Sequence, residues 1–231
     1  MRRVVIVQAR MTSTRLPGKV LADIEGRPML ARVIERLRPA HVDEIVVATT
    51  VNGADDPVVA LAYTEGAKVF RGSERDVLGR YVAAARAHCA DVVVRVTADC
   101  PLIDAGVLDR AVEAVERRWQ SLGESRWNDY ASNTIVRTYP RGLDAEALHI
   151  DVLERVARIA ESPEAREHVT WYINEEAPAL FARQCIVDDA HSEQSSITGG
   201  DAMALPDKED MAKVFNWFST LRSRLQPKGS I

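Results

Sequence analysis

Short runs of β-branched residues alternate with helical patterns over the first 120 residues. Continuous apolar runs suit strands covered on both faces, and they predict buried strands at 4–8, 44–50, 67–70 and 91–97. Apolar residues at helical spacing and capping signals predict helices at 28–38, 55–65, 76–89 and 104–119. This alternation is typical of right-handed βαβ units, so we expect a mostly parallel sheet flanked by helices.

The pattern becomes less regular after residue 120. It predicts a polar loop at 121–129, strands at 130–136 and 144–148, a mainly helical stretch at 149–176, and a return to the sheet at 181–187. A polar loop at 189–201 and an amphipathic helix at 208–225 follow. We therefore expect a single α/β, Rossmann-like domain spanning 1–231, with a smaller protruding element around 130–180.

Composition excludes several classes of protein. Of the 231 residues, 46% are hydrophobic, which is enough for a core, and no apolar run approaches the ~20 residues of a membrane span. The three cysteines lack CxxC spacing and the five histidines form no ligand-spaced pair, so neither a disulfide framework nor a zinc site is expected. A cytoplasmic enzyme or binding domain, without a membrane partner, is the expectation.

The net charge of −4 is unevenly distributed. Residues 1–38 hold nine Lys and Arg against three acids, a net charge of +6, so the remainder carries −10. A nucleic-acid-binding protein is usually basic over a whole face, so this distribution favours a local site for a small polyanion. For Arg32, Arg36 and Arg38, the solvated side of a helix is the preferred interpretation.

The segment 8–19, QARMTSTRLPGK, lies where ligands bind in parallel sheets, just after the carboxyl end of a strand. Its cations Arg10, Arg15 and Lys19 suit phosphate, and its small residues let backbone N–H groups approach phosphate oxygens. It is not a Walker A loop, because Ser13 stands where that motif requires glycine. A polyphosphate-binding loop is favoured over a plain surface loop.

The same segment resembles the opening signature of the sugar-acid cytidylyltransferases, in particular the spore coat polysaccharide branch, which is related to the 3-deoxy-manno-octulosonate and acylneuraminate enzymes. Further segments resemble family motifs in the same order, at 72–81, 95–104, 130–133, 139–146 and 166–170. The resemblance covers about residues 1–185. Several ordered motifs make it more specific than any one of them.

The resemblance implies a fold like that of nucleotide-diphosphosugar transferases and a reaction that joins CTP to an anionic sugar acid, releasing pyrophosphate and leaving a CMP-sugar for polysaccharide biosynthesis. It also implies a homodimer, with the 130–180 element serving substrate binding and dimerisation. Arg10, Arg15 and Lys19 would be catalytic and hold the triphosphate. The nucleotide would further contact Gln8, Ala9, Ser13, Gly72, Ser73 and Asp99.

Asp99 directly follows a strand, so its carboxylate should face the same cleft as segment 8–19. Mg²⁺ takes one or two carboxylates plus phosphate oxygens, which makes Asp99 the expected metal ligand; a helix cap is the alternative, although Asp104 is better placed to cap. By resemblance, the acceptor side is lined by Asn133, Arg141, Asp144 and Glu146. The alternative for the last two, solvated acids on an edge strand, stays open.

One departure from the family pattern concerns the second metal ligand. The family usually has an aspartate near the C-terminus where Pro206 stands here. Asp207, one residue further, is the expected substitute, and Asp201, further upstream, is the alternative. Two alternatives therefore remain. A nucleotide-sugar glycosyltransferase would want Asp-x-Asp, which Asp99-Cys100-Pro101 lacks; a degenerate nucleotide-binding protein without catalysis would be compatible with Pro206.

Overall fold

The structure is a computed structural model that describes residues 1–13, 16–121 and 124–188, with the backbone alone for 118–121 and 124–126. The chain divides into two compact units, Met1–Ile197 and Thr198–Ile231, and all described residues belong to the first. No helix in this part of the chain is both long and apolar enough to cross a membrane. A single domain over all 231 residues stays a prediction, and the segments 189–201 and 208–225 lie outside the described residues.

Strands and helices alternate up to residue 116. The strands are β1 (Arg3–Gln8), β2 (Asp23–Ile24), β3 (Arg27–Pro28), β4 (Glu44–Thr50), β5 (Lys68–Gly72), β6 (Val92–Thr97), β7 (Arg118–Ser121), β8 (Glu124–Trp127), β9 (Tyr130–Ser132), β10 (Glu146–His149) and β11 (Arg183–Cys185). The α-helices are α1 (Met29–Leu37), α2 (Asp56–Thr64), α3 (Val77–Ala87), α4 (Ala105–Glu116), α5 (Ile150–Ile159) and α6 (Pro163–Glu167). Shorter helical turns lie at Lys19–Leu21, Gly53–Asp55, Tyr172–Glu176 and Pro178–Leu180.

Seven strands form one sheet in the order β11-β9-β10-β6-β1-β4-β5. Strands β6, β1, β4 and β5 pair in parallel, and β10 is antiparallel to both of its neighbours. The central strand β1 buries Val4 to Val7 completely, as expected for a strand covered by helices on both faces. The predicted mostly parallel α/β sheet is confirmed.

One face of the sheet is apolar at one end and polar at the other. Val4, Ile6, Val46 and Val93 pack with residues of α3 and α5 in the core. Further along the same strands, towards their carboxyl ends, β1 ends in Gln8, β4 in Thr50 and β6 in Thr97. The core thus ends where the strands end, and the polar edge is free to form a site.

The structure corrects three predictions between residues 104 and 136. The predicted helix 104–119 ends at Glu116, because Arg117 adopts an extended conformation, and much of the predicted loop 121–129 belongs to the β7–β8 hairpin. The predicted strand 130–136 stops at Ser132. Its hydroxyl accepts a hydrogen bond from the Thr134 backbone N–H at 3.0 Å, which turns the chain away from the sheet.

Candidate active site

Three of the loops singled out by the sequence leave the sheet at the same edge. The Ala98 N–H donates to the Gln8 carbonyl at 3.0 Å, and the Ala9 N–H donates to the Ala48 carbonyl at 3.3 Å. On the other side of β4, the Val51 N–H donates to the Gly72 carbonyl at 3.1 Å. The residues that follow β1, β5 and β6 are therefore neighbours in space although they lie up to 90 positions apart.

The connection after β1, residues 9–18, is called the β1 loop below. Its shape is set by the Met11 carbonyl, which accepts hydrogen bonds from the Ser13 N–H at 3.0 Å and from the Gly18 N–H at 2.9 Å. Gly18 has φ 72°, a conformation that favours glycine. The loop thus folds back on itself and delivers Lys19 to the edge of the sheet, while Arg15 lies outside the described residues.

Lys19 and Asp99 meet across the mouth of this loop. The Lys19 Nζ lies 2.5 Å from Asp99 Oδ2, with both side chains partly exposed. Burial opposes ionisation of Asp99, but hydrogen bonds from Lys19 and Thr97 outweigh it and hold the pKa of the carboxyl below its usual value. The edge therefore presents a carboxylate that is ionised at neutral pH, beside an ammonium group.

Arg10 projects from the β1 loop into an open cavity of about 640 Å³. Its guanidinium lies 3.9 Å from Glu74 Oε1 and 3.8 Å from Glu167 Oε1. The cavity is lined by charged side chains together with one proline, namely Arg10, Glu74, Arg75, Asp76, Pro163, Arg166 and Glu167. Sequence reasoning did not select the residues from α6, although two of them, Arg166 and Glu167, fall within the motif-like segment 166–170.

Gly72 is the last residue of β5, and Ser73 begins the connection that follows. A Cβ added to Gly72 would lie 2.9 Å from Arg80 Cγ, so glycine allows the Arg80 side chain to pass. Arg80 is 1% exposed and donates to the Ser73 carbonyl, and burial lowers the pKa of its guanidinium. Its Nε and Nη2 find no hydrogen-bond partner within the described part of the chain. The sequence alone favoured a position on a helix surface for Arg80, but the structure buries it against the start of the connection after β5.

Asn133, Arg141 and Asp144 were expected on the acceptor side. Asn133 is 2% exposed, and its amide donates to the Leu143 carbonyl at 2.7 Å and accepts from the Ala145 N–H at 2.9 Å. Asp144 accepts two hydrogen bonds from Arg137, at 2.8 and 3.1 Å. Arg141 is exposed. Asn133 therefore holds the backbone of this segment, whereas Arg141 and Asp144 remain accessible to a ligand.

Glu146 belongs to a buried network instead of a solvated edge. It forms an ion pair with Arg95, the residue opposite it on β6, and also accepts a hydrogen bond from the Tyr130 hydroxyl at 2.9 Å. The Asn174 amide donates to the same hydroxyl at 3.2 Å, and burial raises the pKa of Tyr130. Glu146 is thus held by two partners within the fold.

Comparison with known proteins identifies the family. A family model described as Cytidylyltransferase matches residues 4–196. The chain belongs to the cytidylyltransferase family. The spore coat polysaccharide biosynthesis protein SpsF of Bacillus subtilis is 34% identical over 185 residues, which cover 78% of this chain and 72% of that protein.

Two further cytidylyltransferases extend the comparison. A 3-deoxy-manno-octulosonate cytidylyltransferase of Rhodospirillum rubrum is 34% identical over 167 residues, which cover 68% of this chain and 59% of the relative. The solved structure of a cytidylyltransferase from Leptospira borgpetersenii superimposes with a TM-score of 0.75 at 28% identity, covering 100% of this chain and 99% of that one. The predicted family and fold are confirmed, and the protein is a nucleotidyltransferase.

In this cytidylyltransferase, the remaining predicted nucleotide ligands lie along the start of the β1 loop. Gln8 ends β1, and its buried Oε1 finds no hydrogen-bond partner among the residues described. Ala9 is 2% exposed, so it can offer a ligand little beyond its backbone, while Ser13 is partly exposed. Gln8 also lies beside the start of the connection that carries Asp99, because its carbonyl accepts the hydrogen bond from the Ala98 N–H.

The described side chains can hold a metal ion only if phosphate oxygens of a bound nucleotide supply further ligands. Within residues 1–13, 16–121 and 124–188, no group of three or more His, Cys, Asp or Glu side chains is arranged to hold an ion. Asp99 offers a carboxylate at the end of β6 whose pKa is held below its usual value, and Mg²⁺ in nucleotide sites commonly takes one or two carboxylates plus phosphate oxygens. The second expected ligand, Asp207, lies outside the described residues.

Proposed function

We propose that this cytidylyltransferase joins CTP to an anionic sugar acid to give a CMP-sugar and pyrophosphate, in the synthesis of a cell-surface polysaccharide. The observation that carries the proposal is the Lys19–Asp99 pair at 2.5 Å, which joins the end of the β1 loop to the connection after β6. The names of the relatives support the acceptor class, since one acts on 3-deoxy-manno-octulosonate and another serves spore coat polysaccharide synthesis.

In the proposed reaction, a hydroxyl oxygen of the acceptor attacks the α-phosphorus of CTP in line with the departing pyrophosphate. The bond from that phosphorus to the bridging oxygen breaks, and the hydroxyl proton passes to solvent. Lys19, Arg10 and Arg15 would offset the charge on the α-phosphate and on the leaving group. Asp99 orients the Lys19 ammonium before the nucleotide arrives, because its ionised carboxylate accepts a hydrogen bond from Nζ.

The proposal includes Mg²⁺ held by Asp99 together with phosphate oxygens of the nucleotide. Bound there, the ion would supply Lewis-acid polarisation of the α-phosphate and neutralise charge on pyrophosphate. Asp207 stays the predicted second ligand. A homodimer and a cytoplasmic location, expected from the family resemblance and the composition, belong to the same proposal.

On the acceptor side, we propose that the four predicted residues divide into two groups. Arg141 and Asp144 would contact the acceptor, because their charged groups are exposed or half-exposed. Arg141 suits the carboxylate of a sugar acid, and Asp144 suits its hydroxyls. Asn133 and Glu146 would shape the acceptor side through the backbone and ion-pair contacts that already occupy their polar atoms.

The test is a pyrophosphate-release screen of the four ribonucleoside triphosphates against sialic, octulosonic and related sugar acids, with Mg²⁺ present. We expect release with CTP and a sugar acid. In the Lys19→Met variant, turnover should fall by about 10²-fold or more, the usual loss for one charge-stabilising donor. Lys68→Met is the matched control, because Lys68 is exposed at the start of β5 and far from the edge.

The outcomes separate the alternatives. Unchanged turnover in Lys19→Met would contradict the assigned role of the β1 loop. Tight CTP binding without pyrophosphate release over the whole acceptor panel would favour a nucleotide-binding protein without catalysis, the alternative raised by Pro206. Transfer of a sugar from a nucleotide-sugar donor would favour a glycosyltransferase.

A further inference from the structure

Three carboxylates from three neighbouring connections hold the segment from the β1 loop to Lys19. Glu74, after β5, accepts a hydrogen bond from the Thr12 hydroxyl at 2.5 Å. Asp99, after β6, pairs with Lys19 at 2.5 Å. The third is Asp55, in the helical turn after β4, which accepts a hydrogen bond from the Met11 backbone N–H at 2.7 Å.

Asp55 differs from the other two in burial and in what it binds. The side chains of Glu74 and Asp99 are 37% and 36% exposed, and each contacts a side chain that can turn towards a ligand. Asp55 is 0% exposed and binds backbone. Its other donors are the N–H of Thr50, at 3.2 Å, and the Thr50 hydroxyl. Complete burial and three accepted hydrogen bonds fix the position of the Asp55 carboxylate.

Asp55 binds Met11, and Met11 in turn accepts the hydrogen bonds that shape the rest of the β1 loop. The Met11 carbonyl accepts the hydrogen bonds from Ser13 and Gly18 that fold the loop back, and Lys19 follows directly. Because Asp55 holds the Met11 N–H, it also fixes the orientation of the Met11 carbonyl, which accepts the two hydrogen bonds that close the loop. Without this contact, the backbone N–H groups and Lys19 would have to be ordered when the nucleotide binds, which costs affinity.

Asp55 stands at the start of the predicted helix 55–65, where an acid commonly caps a helix through its side chain. The structure contradicts that role for its side chain, because Asp55 occupies the N-cap position of α2 without forming a side-chain capping bond. Thr50 is arranged for the loop contact as well: its hydroxyl oxygen accepts from the Asn52 N–H at 3.1 Å, which leaves its proton directed to Asp55. The carboxylate is committed to β4 and the β1 loop.

We propose that Asp55 is a positioning residue for the nucleotide, a buried carboxylate that preorganises the β1 loop to receive the triphosphate of CTP. The inference rests on the proposed function, because it takes CTP as the ligand of the loop. Asp55 does not touch the nucleotide. It acts through Met11, so its loss should weaken the binding of CTP more than it slows the step that follows.

The test compares Asp55→Asn with the wild type and with Asp56→Asn. Asparagine keeps the shape of the side chain, but its NH₂ group cannot accept the hydrogen bonds that the carboxylate accepts from Met11 and Thr50. Kd and KM for CTP should therefore rise by about 10- to 100-fold. Asp56 is the adjacent carboxylate; its side chain is 66% exposed in a surface pair with Arg71, and its variant should stay within about 2-fold of the wild type. Kd is measured by calorimetry with CTP and Mg²⁺, and kcat and KM by pyrophosphate release.

A purely structural role would lower the melting temperature and the active fraction while leaving Kd for CTP unchanged in the folded protein. That result, or an equal rise in Kd for Asp56→Asn, overturns the inference. If Asp55→Asn does not fold, Thr50→Val decides. Removal of one donor should raise Kd by about 3- to 10-fold, Thr50→Ser should restore it, and an unchanged Kd in Thr50→Val overturns the proposal.

The wild-type measurement separates this inference from the proposed function. If the wild type binds no CTP, the proposed function fails and the inference fails with it. If the wild type binds CTP and releases pyrophosphate while Asp55→Asn keeps the wild-type Kd, the inference alone is overturned. A raised Kd with a kcat within a few-fold of the wild type supports both.

Discussion

Replacing Glu146 by glutamine should destabilise the fold strongly, because it removes the charge that balances a buried guanidinium. The side chains of Arg95 and Glu146 are 15% and 7% exposed, and Arg95 Nη1 donates to Glu146 Oε1, whereas Arg95 Nε finds no hydrogen-bond partner in the described structure. Burial favours the neutral form of Arg95, but Glu146 outweighs it and raises the pKa, so the guanidinium is charged. Removing one partner of such a pair costs about 3–5 kcal/mol.

The structure also supplies the comparison that tests this magnitude. At roughly 2–4 °C per kcal/mol for a domain of this size, Glu146→Gln should lower the melting temperature by about 6–20 °C. The pair Asp144–Arg137 lies nearby, but its side chains are 33% and 39% exposed, so Asp144→Asn should cost no more than about 1 kcal/mol. Urea unfolding followed by circular dichroism measures both variants.

The double variant Arg95→Met/Glu146→Met should recover much of the lost stability, because it removes both buried charges instead of stranding one. Equal and small losses for Glu146→Gln and Asp144→Asn would refute the reasoning. Such a result would mean that Glu146 is a solvated acid, available to the acceptor from the start.

Three further predictions concern other parts of the site. Burial raises the pKa of the Cys100 thiol to about 12. In the native protein at pH 8, a disulfide reagent should therefore modify the exposed Cys89 and spare Cys100 until urea is added. Mass spectrometry of the labelled peptides would show which thiol has reacted. Gly72→Ala should cost about 1–3 kcal/mol in urea unfolding, because its Cβ would meet Arg80; a stability equal to the wild type would contradict the close approach. Chelation of divalent cations should weaken CTP binding by about 10-fold or more in calorimetry, and an unchanged Kd would exclude the shared-metal site at Asp99.

The buried parallel strands are the part of the fold that local sequence predicts well. The run Glu44–Thr50 was predicted residue for residue, and 91–97 differs from β6 by one position, because continuous β-branched residues have few alternatives in a covered sheet. The β7–β8 hairpin was missed. Its strands pair with each other, Arg118 opposite Trp127 and Ser121 opposite Glu124, and that pairing does not follow from the pattern of either segment alone.

Position along the chain predicted which loops share an edge, but not how their charges pair. Lys19 and Asp99 were expected in one cleft because each lies beyond the end of a parallel strand, and the structure brings them to 2.5 Å. The contact between Met11 and Asp55 spans 44 positions, and the latter residue had a plausible local role as a helix cap. Sequence reasoning missed it because a local explanation was sufficient.

The pairing of charges explains why nucleotide binding should depend on a divalent cation. Both described cations at the mouth have carboxylate neighbours: Arg10 lies between Glu74 and Glu167, and Lys19 contacts Asp99. A triphosphate that approaches Arg10 and Lys19 meets the carboxylates of Glu74, Glu167 and Asp99, so these two cations alone do not provide net attraction. A divalent ion shared between Asp99 and the phosphates would reverse this balance and free Lys19 for the nucleotide. The acidic surroundings of the β1 loop thus favour CTP that arrives together with its metal over free CTP.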